Sequence, residues 1–185
     1  APGKRHSGDT KVTDLLYKCY GQAILDDDRE EDFEEILKVI KDRYDSIING
    51  LELTISLDDE FKTIQENFSK KIGRDYAASR GEYLNGIIMA AYLGYEFIDA
   101  AEVIFFDEEG EFDAEKTNEV LSERLAHTER AVIPGFYGSN PDGTIHTFSR
   151  GGSDITGSIV ARAVHADMYE NWTDVSGFLI ADPRI

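Results

Sequence analysis

Gly135-Phe136-Tyr137-Gly138, Ser149-Arg150-Gly151-Gly152-Ser153-Asp154 and Trp172-Thr173-Asp174-Val175-Ser176-Gly177 read as strand, glycine turn, helix start and second glycine turn. Strands that feed glycine loops into helix starts belong to α/β folds. Gly151 and Gly152 let the backbone turn sharply and present its N–H groups, and Ser153 or Asp154 is placed to cap the following helix. Arg150 adds a planar fork of donors that matches a carboxylate or phosphate. The helix expected over 155–166 is made of small and apolar residues, so a ligand can approach its positive end. The pattern suits an anion site, while an arginine and two glycines alone also serve as plain punctuation between strand and helix.

The rest of the chain alternates in the same manner. A Gly-rich loop over 2–8 leads to Asp9 or Thr10, either of which is expected to cap a helix through about Ile24. Phe33, Ile36, Leu37, Ile40, Tyr44 and Ile47 recur at helical spacing, as do Leu57, Phe61, Ile64, Phe68 and Ile72. These two amphipathic helices are expected to pair as an exposed structural hairpin over 33–72. A helix over 81–93 is apolar on most faces and is expected to lie on a sheet. Strands are expected at 97–98, 103–106, 131–136 and 144–148, with a helix at 116–127. The expected fold is α/β, a three-layer αβα sandwich around a mostly parallel sheet.

Charge and cysteine usage narrow the function. A net charge of −18 argues against nucleic acid or an anionic membrane as partner. The acid is concentrated in 26–35 and 107–113, which lack the spaced ligands and glycine of a calcium loop. Lys4, Arg5 and Lys11 leave the first segment locally basic. No apolar run approaches the ~20 residues of a membrane span, and no basic-then-apolar leader opens the chain, so a single cytoplasmic domain is expected. The single cysteine, Cys19, shares a helical face with Val12, Leu15 and Leu16 and reads as a core thiol. His6, His127, His146 and His165 show no metal-ligand spacing, and no metal site is expected among them.

Three sets of motifs carry a family resemblance. They are Ala1-Pro2-Gly3-Lys4-Arg5 with Lys11-Val12-Thr13-Asp14, then Ser79-Arg80-Gly81-Glu82, then Phe148 to Ser158 with Tyr169 to Gly177 and Ala181-Asp182-Pro183-Arg184. In that order they closely resemble the catalytic domain of aspartokinases, members of the amino-acid kinase family. The resemblance is dense over 1–21, 79–91 and 132–185, about half the chain. It implies transfer of the ATP γ-phosphoryl group, with Mg²⁺, to the side-chain carboxylate of L-aspartate. Aspartokinases carry a Lys-Phe-Gly-Gly loop before this region and ACT domains after it. The chain is therefore expected to be an excised central piece of a homo-oligomeric enzyme, and to turn over poorly alone. Losing one preorganised donor typically costs about 2.7–4 kcal/mol of transition-state stabilisation.

The resemblance also assigns roles. Arg150 pairs with an aspartate carboxylate, and Ser153 donates to it from the helix start. Thr13 and Glu82 bind aspartate, Glu82 through its ammonium group, and Phe136 closes the pocket. Asp154 organises the cationic groups around the transferring phosphoryl. Thr173, Asp174, Gly177 and Arg184 fall on the nucleotide side, where Leu179 replaces a tyrosine common in relatives. Read without the resemblance, Thr13 is equally a first-turn helix residue and Glu82 a charge near a helix N-terminus. The alternatives are another kinase of the fold, such as a glutamate or carbamate kinase, or a non-catalytic ligand-binding piece. Tyr169-Glu170-Asn171-Trp172 and Ser79-Arg80-Gly81-Glu82 speak against the other kinases.

Overall fold

The computed structural model describes residues 1–25, 30–149 and 151–172. Four helices come first: α1 (Val12–Ile24), α2 (Glu30–Gly50), α3 (Asp58–Ser69) and α4 (Arg74–Leu93). The apolar stripes of α1, α2 and α3 converge on one core, with Leu16 and Cys19 meeting Leu37, Ile40 and Tyr44 and then Phe61, Ile64 and Phe68. Phe68 lies edge-on to Tyr20, with ring centroids 5.3 Å apart, and edge-on to Tyr76 at 6.2 Å. Such pairs contribute about 0.5–1.5 kcal/mol each beyond the area they bury. Helices α2 and α3 pack on α1 and α4 more than on each other, so their apolar faces are used by the core.

Helix α1 begins without the expected cap. Lys11 occupies the N-cap with no side-chain bond, because the Asp9 carboxylate is turned toward Arg5 and Arg43 instead. Helix α4 starts at Arg74, seven residues earlier than expected, and carries Ala77, Ala78, Ser79 and Gly81. These small residues let it bury more than one face, against α1 on one side and strands on the other.

The strands are β1 (Glu96–Phe97), β2 (Ala131–Val132), β3 (Tyr137–Ser139) and β4 (Ile145–Thr147), with α5 (Ala100–Val103) and α6 (Ala114–Leu125) between the first two and α7 (Gly152–Ala163) last. Strands β1 and β2 are parallel, and Phe105 forms a parallel bridge to Ser139. Strands β3 and β4 are antiparallel, with Gly138 opposite His146. Their connection, residues 140–144 with a turn at Asp142-Gly143, is too short for the crossover that parallel strands require. Two expected strands are shorter than their sequence pattern. Asp99 accepts from the Ala101 N–H and starts α5, so extended chain begins only at Ile104. Pro134, which has no donor, follows closely on the end of β2.

A second core joins Ile98, Val103, Ile104, Leu121, Tyr137 and Ala163. Tyr83 and Ile145 pack against both cores, which places the short strands between the α1–α4 layer and the α6–α7 layer. The class is α/β, as expected. Among the described residues no helix is long and apolar enough to cross a membrane.

Cys19 is fully buried, its thiol directed at the Phe33 carbonyl oxygen at 3.7 Å, and burial pushes its pKa up to about 12. The thiolate is the reactive form, so the folded protein should resist an aromatic disulfide reagent at pH 8 and react only after unfolding. Reaction of the folded protein at the speed of a free thiol would contradict this packing.

Candidate active site

Two glycine loops meet at the start of α7. Gly151 is left-handed, with φ 61°, and occupies the N-cap with no side-chain cap bond; Ser153 and Asp154, the expected caps, lie two and three residues further on, inside the first turn. Facing it, Phe136 is also left-handed at φ 71°, which is uncommon for a bulky residue and costs roughly 1–3 kcal/mol. A Cβ on Gly152 would stand 2.7 Å from the Phe136 Cβ, and one on Gly135 would stand 2.9 Å from the Ser153 Cα. The two backbones therefore touch, and only glycine permits it. The Phe136 N–H donates to Thr156 Oγ1 at 3.0 Å, and the Thr156 hydroxyl donates to the Gly152 carbonyl at 2.7 Å. The Phe148 N–H donates to the Phe136 carbonyl at 2.9 Å.

A cavity of about 700 Å³ opens beside this contact, with Ala131, Ile133, Val160 and Ala161 as apolar wall, Ser153 and Thr156 as polar groups near the helix start, and Thr128 and Glu129 also in the lining. Asp154 is exposed in the same turn but lines a separate, smaller cavity with Ser158, Arg162 and Asn171; its Oδ1 accepts from Asn171 Nδ2 at 3.1 Å. A helix start with free N–H groups, a serine and an open carboxylate can hold an anion and organise cations around it.

Glu82 lies on α4 and Thr13 on α1, two helices packed on each other. Glu82 lies well inside α4, which removes the reading of a charge at a helix N-terminus. Its Oε1 is 3.0 Å from the amino nitrogen of Ala1, while its Oε2 is buried with no hydrogen-bond partner. A buried acceptor without a donor is costly, and an incoming ammonium group supplies what it lacks. Thr13 is half-buried in the first turn of α1.

The loop beside Glu82 is held by a residue that sequence reasoning missed. Arg43, 6% exposed, donates from Nη1 to Asp9 Oδ2 at 2.8 Å and from Nη2 to the Gly3 carbonyl. Its signal is a cation on the apolar stripe of α2, three residues after Ile40. The Arg5 side chain and backbone N–H, with the Arg43 charge, hold the Asp9 carboxyl well below the usual carboxylate range. A depressed folded-state pKa stabilises the protein above the unfolded value of about 3.9 and ceases to do so as pH falls toward the folded value. The Tm gap between wild type and Asp9→Asn should therefore be full at pH 6 and narrow progressively as pH falls below about 4. A gap that persists unchanged at pH 2.5 would rule out this role for the charge.

Arg150, Thr173, Asp174, Gly177 and Arg184, with Leu179, lie outside the described residues. Of the remaining expected residues, Phe136, Ser153 and Asp154 lie where the Phe136 turn meets α7, and Glu82 and Thr13 lie on the packed helices α4 and α1. Thr156, which fixes the Phe136 backbone, was within the glycine motif but had no assigned role.

The amino acid kinase family model matches residues 6–185. Aspartokinase 3 of Bacillus subtilis (strain 168) is 36% identical over 198 residues, spanning 99% of this chain and 42% of that protein. The crystal structure of Clostridium acetobutylicum aspartate kinase superimposes with a TM-score of 0.89 at 52% identity, over all of this chain and 42% of that one. Escherichia coli aspartokinase III, crystallised with aspartate and ADP, has the same fold, with a TM-score of 0.75 at 23% identity over 98% of this chain and 43% of that one. The chain belongs to the amino acid kinase family. Within that family its similarity is to the aspartokinases, and it spans less than half the length of these relatives.

Proposed function

We propose that the whole protein transfers the γ-phosphoryl group of ATP to the side-chain carboxylate of L-aspartate, giving 4-phospho-L-aspartate and ADP, the first step of lysine, threonine and methionine biosynthesis. The observation that carries the reading is the left-handed Phe136 turn seated on the glycine start of α7, in a chain 52% identical to an aspartate kinase. An aspartate carboxylate oxygen attacks the γ-phosphorus as the bond to the β-phosphate bridging oxygen breaks. No proton has to move, so the protein's work is positioning and charge neutralisation.

In this reading Glu82 Oε2 receives the substrate ammonium, and Arg150 with Ser153 holds a carboxylate. Thr13 contributes from α1, and Phe136 closes the pocket. Thr173, Asp174, Gly177 and Arg184 serve the nucleotide. Mg²⁺ is usually held by one or two carboxylates together with substrate phosphates, and the open Asp154 carboxylate suits that mode. When bound, the ion neutralises phosphate charge. The E. coli protein of this fold was crystallised with aspartate and ADP, the acceptor and a product of the reaction proposed here. We infer further a cytoplasmic, homo-oligomeric enzyme, with residues 33–72 structural and this stretch of chain inactive by itself.

The test is ADP release measured with aspartate, glutamate, carbamate or no acceptor, on this chain and on a version of the relatives' length. Aspartate-dependent release by the longer protein alone is the expected result. Preference for glutamate or carbamate would move the reading to another kinase of the fold.

A further inference from the structure

The two groups of the site are joined by a buried network that no assigned role uses. Tyr137, the residue after Phe136, is fully buried, and its hydroxyl donates to Asp99 Oδ1 at 2.6 Å. That oxygen also accepts the Ala101 N–H at 3.1 Å, so the start of α5 fixes it. The Arg80 guanidinium lies 5.5 Å from the Tyr137 ring centroid, 4.3 Å from that of Tyr83 and 4.5 Å from that of Tyr76. Arg80 is 5% exposed, and its Nε and Nη2 donate to Ser79 Oγ. It sits two residues before Glu82 on α4, and Tyr83 directly follows Glu82.

Phe136 needs such support. Its left-handed backbone persists only if the surroundings over-determine it. Thr156 and Phe148 hold it from the α7 and β4 side. The Tyr137–Asp99 bond holds it from the opposite direction, and the stack on Arg80 connects that anchor to the helix that bears Glu82. Displacement of a positioning element by about 1 Å can lower a rate by up to 10²-fold.

We propose that the Asp99–Tyr137 hydrogen bond is a positioning device that fixes the Phe136 turn relative to the Glu82 helix, and so sets the width of the amino-acid pocket. This rests on the aspartate reading given above. Tyr137 and Asp99 touch no reacting atom in it; they act through Phe136.

Tyr137→Phe keeps the ring and the Arg80 stack and removes only the donor. Asp99→Asn keeps an oxygen that accepts from both Tyr137 and Ala101, and serves as the conservative rescue. Two measurements separate the possibilities. On this chain, amide exchange over 135–138 should accelerate about tenfold in Tyr137→Phe and little in Asp99→Asn, while exchange in α1 stays as in wild type. In the longer protein, Tyr137→Phe should raise the KM for aspartate about tenfold and leave that for ATP within about twofold. Unchanged exchange at 135–138, or a lower Tm with both KM values unaltered, overturns the positioning role. Absence of aspartate turnover in the wild-type protein instead overturns the functional reading, and the exchange result still decides the structural claim.

Discussion

Replacement of Gly152 by alanine is expected to destabilise the protein by about 2–3 kcal/mol, a fall in Tm of roughly 5–10 °C for a domain of this size. The added methyl would stand 2.7 Å from the Phe136 Cβ, 2.8 Å from its Cα and 2.9 Å from the Phe148 Cβ. None of these atoms is the free end of a long side chain. The Phe136 backbone is tied at its N–H to Thr156 and at its carbonyl to Phe148, so relief requires breaking one of those bonds or moving α7. Gly21→Ala is the control. That glycine lies inside α1 with nothing within 4 Å of an added Cβ, and alanine there should stabilise by about 0.5–1 kcal/mol. Thermal unfolding of the two variants beside wild type makes the comparison. Equal Tm values for Gly152→Ala and wild type would mean that the two loops do not meet as described.

The contact behind that expectation was only half legible in the sequence. Paired glycines before a helix announced a sharp turn, and Gly151 does adopt the left-handed conformation. The sequence had no means of showing that Gly152 and Gly135 serve a different purpose, the approach of two backbones from distant parts of the chain. Nor did it mark Phe136 as left-handed, because local rules assign positive φ to glycine or asparagine before an aromatic residue. The helices were easier. Phe61, Ile64 and Phe68 on α3 follow the 3.6-residue period closely, and burial follows the period.

The strands were harder for a physical reason. Apolar runs at 103–106 and 131–136 have the composition of strands, but α5, started by Asp99, takes Val103 from the first and leaves Phe105 and Phe106 in isolated bridges, and Pro134 stands just past the end of the second. Of the second run only Ala131 and Val132 remain as β2, paired with the two residues of β1. Capping was misassigned at both ends of the site for a related cause. Asp9 and Ser153 are good caps by type, yet Asp9 is taken by Arg5 and Arg43, and Gly151 holds the α7 cap position. At Asp9 two ion pairs, one of them to the distant Arg43, outweigh a capping preference worth about 1 kcal/mol, and at α7 the left-handed Gly151 starts the helix before Ser153 is reached.

Arg150→Ala in the longer protein is expected to have the largest functional effect, lowering kcat/KM for aspartate by about 10²–10³-fold and for ATP by less than about tenfold. Arg150 lies in the connection between Thr147, the end of β4, and Gly152, the start of α7. Its neighbours on that connection lead directly into the first turn that bears Ser153 and Asp154. In the proposed role a guanidinium there would meet a substrate carboxylate with two parallel charge-assisted hydrogen bonds, each contributing about 1.5–3 kcal/mol. Water cannot replace the pair at equal strength, because it carries no charge and must itself be ordered. Arg150→Lys separates charge from geometry: an ammonium keeps the positive charge but not the planar fork, so it should recover part of the loss and leave at least a tenfold deficit, on the order of 1.4 kcal/mol. The measurement is steady-state kinetics with each substrate varied at saturation of the other. Equal losses for aspartate and ATP would assign Arg150 to the transferring phosphate, and full recovery by lysine would mean that charge alone is needed at this position.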